Sequence, residues 1–186
     1  MSRGIAGKWS FWVLGLVAIA PTWALDLSGA VIVPKSDSPV VAKAAVMLQE
    51  ELAERSGVTL PIAASGATVT IELGVARDVA GVEVPQQAEA YGVAVEGNTV
   101  KLAGFDARGA LYAAGRLIRL ADYGPGTLSL DLKKPIATAP DVPLRAHQLA
   151  YRNTANTYDA WTVEVYEQYI RDMIIFGCNG VELITN

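Results

Sequence analysis

Residues 91–123 read YGVAVEGNTVKLAGFDARGALYAAGRLIRLADY, and this stretch decides the fold of the first part of the chain. Apolar residues recur at every second position on both sides of Gly97-Asn98, which predicts a β-hairpin with a two-residue turn. Asp106 then stands where a helix N-cap is expected, and the residues after it repeat with a helical period. The stretch therefore predicts two strands and a helix in direct succession.

The glycines of this stretch have the spacing of a phosphate-binding loop, but the rest of that motif is missing. Ala110 and Leu111 follow Gly109 where a P-loop carries Lys and Ser or Thr, so the sequence argues against nucleotide binding. Gly109 and Gly115 each cost about 1 kcal/mol inside a helix. We therefore expect both glycines to allow a close backbone approach between the helix and the sheet.

The flanking segments extend this pattern in both directions. Strands are predicted at residues 30–33, 68–73 and 127–132, and a helix is predicted from an N-cap at Ser38 to Gly57. Glu50 and Glu51 are interpreted as solvated side chains, because adjacent helical residues point about 100° apart. Residues 25–135 are thus predicted to form an α+β domain, β-α-β-β-β-α-β, with a mixed β-sheet and two helices packed on one face.

Residues 136–186 are predicted to leave this domain and begin another. Residues 136–143 contain two of the three prolines of KKPIATAPDVP and are interpreted as an ordered linker or edge segment. A strand at residues 145–152, a helix ending at Gly177 and a strand at residues 181–184 form a βαβ unit. Because a lone parallel pair cannot bury both its faces, we expect further units to follow.

The composition indicates a globular protein and excludes several classes of function. Hydrophobic residues make up 52% and charged residues 18% of the chain, and the formal net charge is −4. The acidic balance argues against a nucleic-acid partner, which would need a basic face. Cys178 is the single cysteine, so no intrachain disulfide can form, and we expect an inert buried thiol. His147 is the single histidine, and no metal site or cofactor is predicted.

The first 24 residues are predicted to be a signal peptide. Arg3 and Lys8 precede the apolar run WSFWVLGLVAIA, which is shorter than a membrane span, and a small-x-small cleavage site ends at Ala24. An uncleaved signal anchor is the alternative interpretation. We therefore expect a secreted or periplasmic protein whose membrane contact is confined to this segment.

Two sets of residues resemble glycoside hydrolases. The segments AYGV (90–93), VKLAG (100–104) and DARGALYA (106–113) resemble the small N-terminal domain of family-20 β-hexosaminidases and family-67 α-glucuronidases. The segments LRAHQLAYR (144–152), YDAW (158–161) and FGCNGVELI (176–184) are similar to the first βαβ unit of the (β/α)8 catalytic barrel that follows it. The resemblance implies an exported enzyme that hydrolyses O-glycosyl bonds of polysaccharide or amino-sugar glycans.

The resemblance also implies where a carbohydrate substrate is bound. Arg145 matches an arginine that binds sugar hydroxyls in the hexosaminidases, although Ala146 and Ala150 replace the Gly and Asp of that motif. A structural ion pair at the domain junction is the alternative for Arg145. Tyr151, Arg152 and Asn153 follow at the carboxyl end of the strand, where barrel active sites are built, and are predicted to bind substrate.

His147 and Glu182 are the other candidate residues in this part of the chain. His147 shares strand parity with Leu149, so core packing is an alternative to proton transfer, and Glu182 is a candidate pocket carboxylate. The catalytic carboxylates are expected beyond Asn186, which would leave the chain inactive by itself. A complete exported carbohydrate-binding or protein-interaction module with the same accessory fold is the alternative function.

Overall fold

The computed structural model describes residues 24–65, 67–149 and 161–183. Its elements, in chain order, are β1 (Leu25–Asp26), β2 (Val31–Pro34), α1 (Pro39–Ser56), β3 (Thr70–Val75), β4 (Tyr91–Glu96), β5 (Thr99–Gly104), α2 (Ala107–Leu120), β6 (Ala121–Gly124), β7 (Thr127–Leu130), β8 (Ile136–Thr138), β9 (Ala146–Leu149), α3 (Val163–Ile175) and β10 (Gly180–Leu183). None of these helices is long and apolar enough to cross a membrane.

A five-stranded mixed sheet forms the centre of the molecule, in the order β2-β3-β5-β4-β8. β2, β3 and β5 run parallel, whereas β4 pairs antiparallel with β5 and with β8. The paired residues Ile71 and Val100, and likewise Leu73 and Leu102, are fully buried in one core with the apolar residues of α1 and α2. The predicted α+β class and the predicted hairpin are confirmed.

A second, three-stranded antiparallel sheet lies beside the first, in the order β1-β7-β6. The sequence analysis predicted a strand near residues 127–132 but neither of its partners, β1 and β6. α2 ends at Leu120 and the chain passes directly into β6, which turns through Gly126 (φ 70°) into β7. Leu128 and Leu130 of β7 are buried in the common core, so the second sheet extends that core.

The helix ends follow the predicted capping residues, although the Ser38 side chain makes no capping hydrogen bond at the start of α1. Pro39 begins α1, and Gly57 ends it in the left-handed region (φ 75°), where its N–H donates to the Ala53 carbonyl. Asp106 caps α2 by accepting a hydrogen bond from the Gly109 N–H at 2.8 Å. Local sequence signals therefore fix both helices of the α+β layer.

The two glycines inside α2 allow close contact with different parts of the chain. A Cβ on Gly109 would lie 2.2 Å from the carbonyl oxygen of Ala90, directly before β4, which matches the expected approach to the sheet. A Cβ on Gly115 would instead lie 2.8 Å from the Ile175 Cα at the end of α3. The expectation that Gly115 faces the sheet is therefore wrong, because α3 occupies that side of α2.

The last described residues form the predicted βαβ arrangement. β9 and β10 are parallel, with Val181 opposite His147 and Glu182 opposite Gln148. Ile175 at the end of α3 is 2% exposed and belongs to the same apolar core as α1 and α2. Packing thus crosses the predicted domain boundary, and the predicted linker contributes the edge strand β8. That this unit begins a barrel stays a prediction.

Candidate functional site

A buried carboxylate, Glu89, lies where the α+β layer meets the β9–α3–β10 unit. Its side chain is 6% exposed, and its backbone has a φ of 65°, a left-handed conformation that is costly for a residue other than glycine. The Glu89 N–H donates to Asp106 Oδ2 at 3.1 Å. The aspartate that caps α2 therefore also holds the loop that carries Glu89.

Both oxygens of the Glu89 carboxylate are engaged by donors from other elements. Arg108 Nη1 lies 2.9 Å from Oε1, and Arg145 Nη2 lies 2.5 Å from Oε2. Asn179 Nδ2 donates to Oε2 at 3.2 Å. A carboxylate this buried is stabilised only when its charge is paired and its lone pairs are satisfied, which these donors achieve.

Arg145 is held on every side of its guanidinium group. Nε donates to the Gly177 carbonyl at 2.8 Å, and Nη1 donates to the Val142 carbonyl at 2.9 Å. The guanidinium carbon lies 5.6 Å from the centre of the Tyr112 ring, a cation–π distance. Arg145 therefore makes the structural ion pair that the sequence analysis gave as an alternative, and its contact with a sugar stays a prediction.

Tyr112 closes the junction between α2 and the residues before β10. Its hydroxyl donates to the Cys178 carbonyl at 3.2 Å. Burial raises the pKa of this hydroxyl, and the nearby Glu89 carboxylate adds to the shift. Tyr112 therefore stays a neutral hydrogen-bond donor. The Cys178 side chain is half-buried, rather than buried as expected from the sequence.

Glu89, Arg108, Arg145 and Asn179 form a cluster, the Glu89 cluster, at the amino ends of the parallel strands β9 and β10. Arg145 directly precedes β9, and Asn179 directly precedes β10, where the Arg145 N–H donates to Asn179 Oδ1 at 2.9 Å. Binding sites in parallel α/β sheets lie at the opposite, carboxyl ends of the strands. The cluster is therefore suited to joining two parts of the chain rather than to chemistry.

The carboxyl ends of the strands carry the other candidate residues. Tyr151, Arg152 and Asn153 follow β9 and lie outside the described residues. His147 is exposed, so the core-packing alternative is wrong, and its Nδ1 contacts the Tyr169 hydroxyl of α3. Glu182 is exposed on β10 and accepts a hydrogen bond from Gln148 Nε2 at 2.8 Å.

A second buried carboxylate joins α1 to α3. Glu51 is 1% exposed, so its interpretation as a solvated residue is wrong. Arg55 Nη2 lies 3.0 Å from its Oε2, and Gln168 Nε2 of α3 donates to its Oε1 at 3.1 Å. Glu50, on the neighbouring face, is 45% exposed and pairs with Arg171. Gln168 of α3 thus supplies one hydrogen-bond partner of the buried Glu51 carboxylate.

Sequence reasoning missed Glu89 and Asn179. Residues 77–90 show no usable pattern, and the partner Arg145 lies 56 residues away. Within residues 24–65, 67–149 and 161–183, no group of three His, Cys, Asp or Glu side chains could hold a metal ion.

The family model "Glycosyl hydrolase family 20, domain 2" matches residues 18–142. The chain belongs to this family. The domain is thus of a kind found in glycosidases, and the predicted N-terminal accessory domain is confirmed. No curated protein sequence matches the chain.

Several solved structures with a similar fold are glycoside hydrolases. A family-115 4-O-methyl-α-glucuronidase with specificity for decorated arabinogalactans has a TM-score of 0.64 at 19% identity, over 83% of this chain and 24% of its own. The family-20 β-N-acetylhexosaminidase from Streptomyces coelicolor A3(2) has a TM-score of 0.61 at 20% identity. The likeness covers 84% of this chain and 30% of that enzyme. The family-20 exo-β-N-acetylglucosaminidase from Vibrio harveyi has a TM-score of 0.60 at 18% identity. The likeness covers 84% of this chain and 22% of that enzyme.

These likenesses establish the fold that the family 20 domain 2 assignment implies. The chain spans less than a third of the length of each of these three enzymes. Between 83% and 84% of this chain is covered in each case, which is more than residues 18–142 alone account for. The three enzymes are thus similar to this chain beyond the family domain.

Proposed function

We propose that the chain is the N-terminal part of an exported glycoside hydrolase that cleaves O-glycosyl bonds of polysaccharide or amino-sugar glycans. The observation that carries this proposal is the parallel β9–α3–β10 unit, fixed by Glu89 and Arg145 to a family 20 domain 2. In the proposal this unit is the start of the catalytic barrel. Residues 25–135 form a domain that packs against the barrel and stabilises it.

The family domain has a supporting role in this proposal. Arg145 and Asn179 join the Glu89 carboxylate to the strand ends, and Arg108 of α2 pairs with its other oxygen, so both oxygens are engaged in holding structure. Tyr151, Arg152 and Asn153 are proposed to bind substrate, because they follow the carboxyl end of β9. An aromatic ring suits a sugar face, and a guanidinium group suits its hydroxyls or a carboxylate.

The reacting groups are proposed to lie beyond Asn186. Hydrolysis of a glycosidic bond requires two acidic groups, or one group and a substrate acetamide, on either side of that bond. The chain by itself is then inactive. Residues 1–24 are proposed to direct export, which places the enzyme in the periplasm or outside the cell with its glycan substrate.

The test is an assay of the complete gene product, including the codons that follow Asn186. Substrates are an aryl β-N-acetylglucosaminide, 4-O-methylglucuronoxylan fragments and arabinogalactan, the last because a similar family-115 enzyme acts on decorated arabinogalactans. We expect sugar release from at least one substrate by the complete product and none by residues 25–186. A stop codon after Asn186 would overturn the proposal, and glycan binding by the purified chain would then favour a non-catalytic module.

A further inference from the structure

The two faces of the β9–β10 pair differ in what covers them. Val181 borders a cavity of about 360 Å³ together with Ile170 and Met173 of α3, and His147 contacts Tyr169 of the same helix. Because successive strand residues point to opposite faces, Gln148 and Glu182 lie on the face away from α3. This second face, the open face, is formed by Ala146, Gln148, Gly180 and Glu182.

The side chains of the open face change from small to polar along the strands. At the amino end it carries Gly180 and Ala146, where a Cβ on Gly180 would lie 3.1 Å from the Ala146 Cβ. Towards the carboxyl end it carries Gln148 and Glu182, which are opposite each other in the register and joined by the 2.8 Å hydrogen bond from Nε2 to Oε2. The amino end thus has room only for small residues side by side, and a paired amide and carboxylate stand one residue before the end of each strand.

We propose that Gln148 and Glu182 form a subsite that binds hydroxyl groups of an uncharged sugar ring, an inference that rests on the proposed glycosidase function. Ligands of parallel sheets bind beyond the carboxyl ends of the strands, which is the end where this pair stands. An ionised carboxylate offers about four lone-pair positions, so its bond from Gln148 leaves it able to accept from sugar hydroxyls. The Gln148 amide adds both a donor and an acceptor.

The carboxylate also determines which sugars the subsite rejects. A uronic acid would bring a second carboxylate next to Glu182, and like charges at such a distance repel each other. Neutral or N-acetylated sugars carry hydroxyls without that charge. The subsite therefore favours the amino-sugar or neutral-glycan side of the proposed function over the glucuronoside side.

The test compares variants of the complete gene product on a neutral aryl glycoside and on a glucuronoside. Gln148→Ala should raise KM for the neutral substrate by roughly five- to tenfold, as expected for a lost hydrogen bond to substrate. Glu182→Gln, which keeps the shape of the side chain, should raise KM for the neutral substrate. The ratio of kcat/KM for the glucuronoside to kcat/KM for the neutral substrate should also rise severalfold. Loss of structure alone would lower both values and would not cause this shift.

Glu167→Gln provides the matched control, because Glu167 is an exposed carboxylate on α3, away from the open face. Thermal unfolding of each variant checks that it is folded. If the wild type hydrolyses the neutral substrate and both variants stay within twofold of it on both substrates, the subsite is overturned and the glycosidase proposal stands. Wild-type activity confined to glucuronosides would overturn the subsite in the same way. A wild type that hydrolyses no glycan overturns both proposals.

Discussion

Glu89 and Arg145 lie 56 residues apart in the chain, and Glu89 Oε2 and Arg145 Nη2 meet at a distance of 2.5 Å. The carboxylate belongs to the family 20 domain, and the guanidinium group directly precedes β9. Because Arg145 and Asn179 both stand at the amino ends of β9 and β10, the cluster holds these ends against the domain. The carboxyl ends are thereby directed away from it.

Replacing Glu89 with Gln should destabilise the protein by about 2–4 kcal/mol, because it leaves the partly buried Arg145 without its counter-charge. The free energy of unfolding in urea measures this loss. Glu83→Gln is the matched control, since Glu83 is an exposed residue of the same loop. Equal stability of the two variants would show that the ion pair is not what joins the two parts.

The backbone of Glu89 provides a separate prediction. Its φ of 65° favours glycine, so Glu89→Gly should be more stable than Glu89→Ala by about 1 kcal/mol, although both lose the carboxylate. Urea unfolding of the two variants side by side measures the difference. An alanine variant at least as stable as the glycine variant would contradict the left-handed conformation.

Gly115→Ala should destabilise the protein by about 1–2 kcal/mol, even though alanine is the better helix former. The added Cβ would lie 2.8 Å from the Ile175 Cα, so α2 and α3 must move apart. Gly29→Ala makes the same change where no atom lies within 4 Å, and should stay within about 0.5 kcal/mol of wild type. A stabilised Gly115→Ala variant would mean that α3 does not pack there.

Glu51→Gln and Glu50→Gln form a pair of adjacent substitutions with different expected costs. Glu51 is buried between Arg55 and Gln168, so its loss of charge should cost about 1–3 kcal/mol. Glu50 pairs with Arg171 near the surface, and its loss should cost less than about 1 kcal/mol. Chemical denaturation of both variants measures the two costs. Equally small costs would support the sequence-based interpretation of Glu51 as a solvated residue.

Tyr123 should make stability fall at alkaline pH. Burial raises the pKa of Tyr123 to about 12, and its hydroxyl donates to the Ile118 carbonyl at 2.6 Å. The contribution is present below the ordinary tyrosine pKa of about 10. It is lost as pH rises towards about 12, because the unfolded chain releases the proton first. Tyr123→Phe lacks this loss, so its difference in unfolding free energy from wild type should narrow above pH 10. A difference that is constant with pH would contradict the prediction.

The sequence was sufficient for elements that depend on local signals. The caps at Asp106 and Gly57, the Gly97-Asn98 turn and the alternation of Val93 and Val95 all act within a few residues. Their positions were therefore predicted to within one or two residues. The βαβ unit was also predicted, since a helical stripe between two short apolar runs is a local pattern.

The contacts that join the two parts could not be predicted in this way. Glu51 is polar and sits beside a more exposed glutamate, and one of its partners, Gln168, comes from α3. Gly115 marks a close approach, but its sequence context does not tell which element approaches. Glu89 lies in a loop without periodicity, and its partners come from α2 and from the residues directly before β9 and β10. Each of these depends on packing between distant segments.

The placement of Ile175 has a consequence for how the protein is made. This residue completes the core of the family domain, yet it follows Pro143 by more than thirty positions in the chain. At a synthesis rate of about 5–20 residues per second, roughly two to six seconds separate the synthesis of Pro143 from that of Ile175. Until Ile175 is made, the core beside Gly115 lacks one of the residues that complete it. Packing of the family domain can therefore be completed only after synthesis has passed the predicted boundary of that domain.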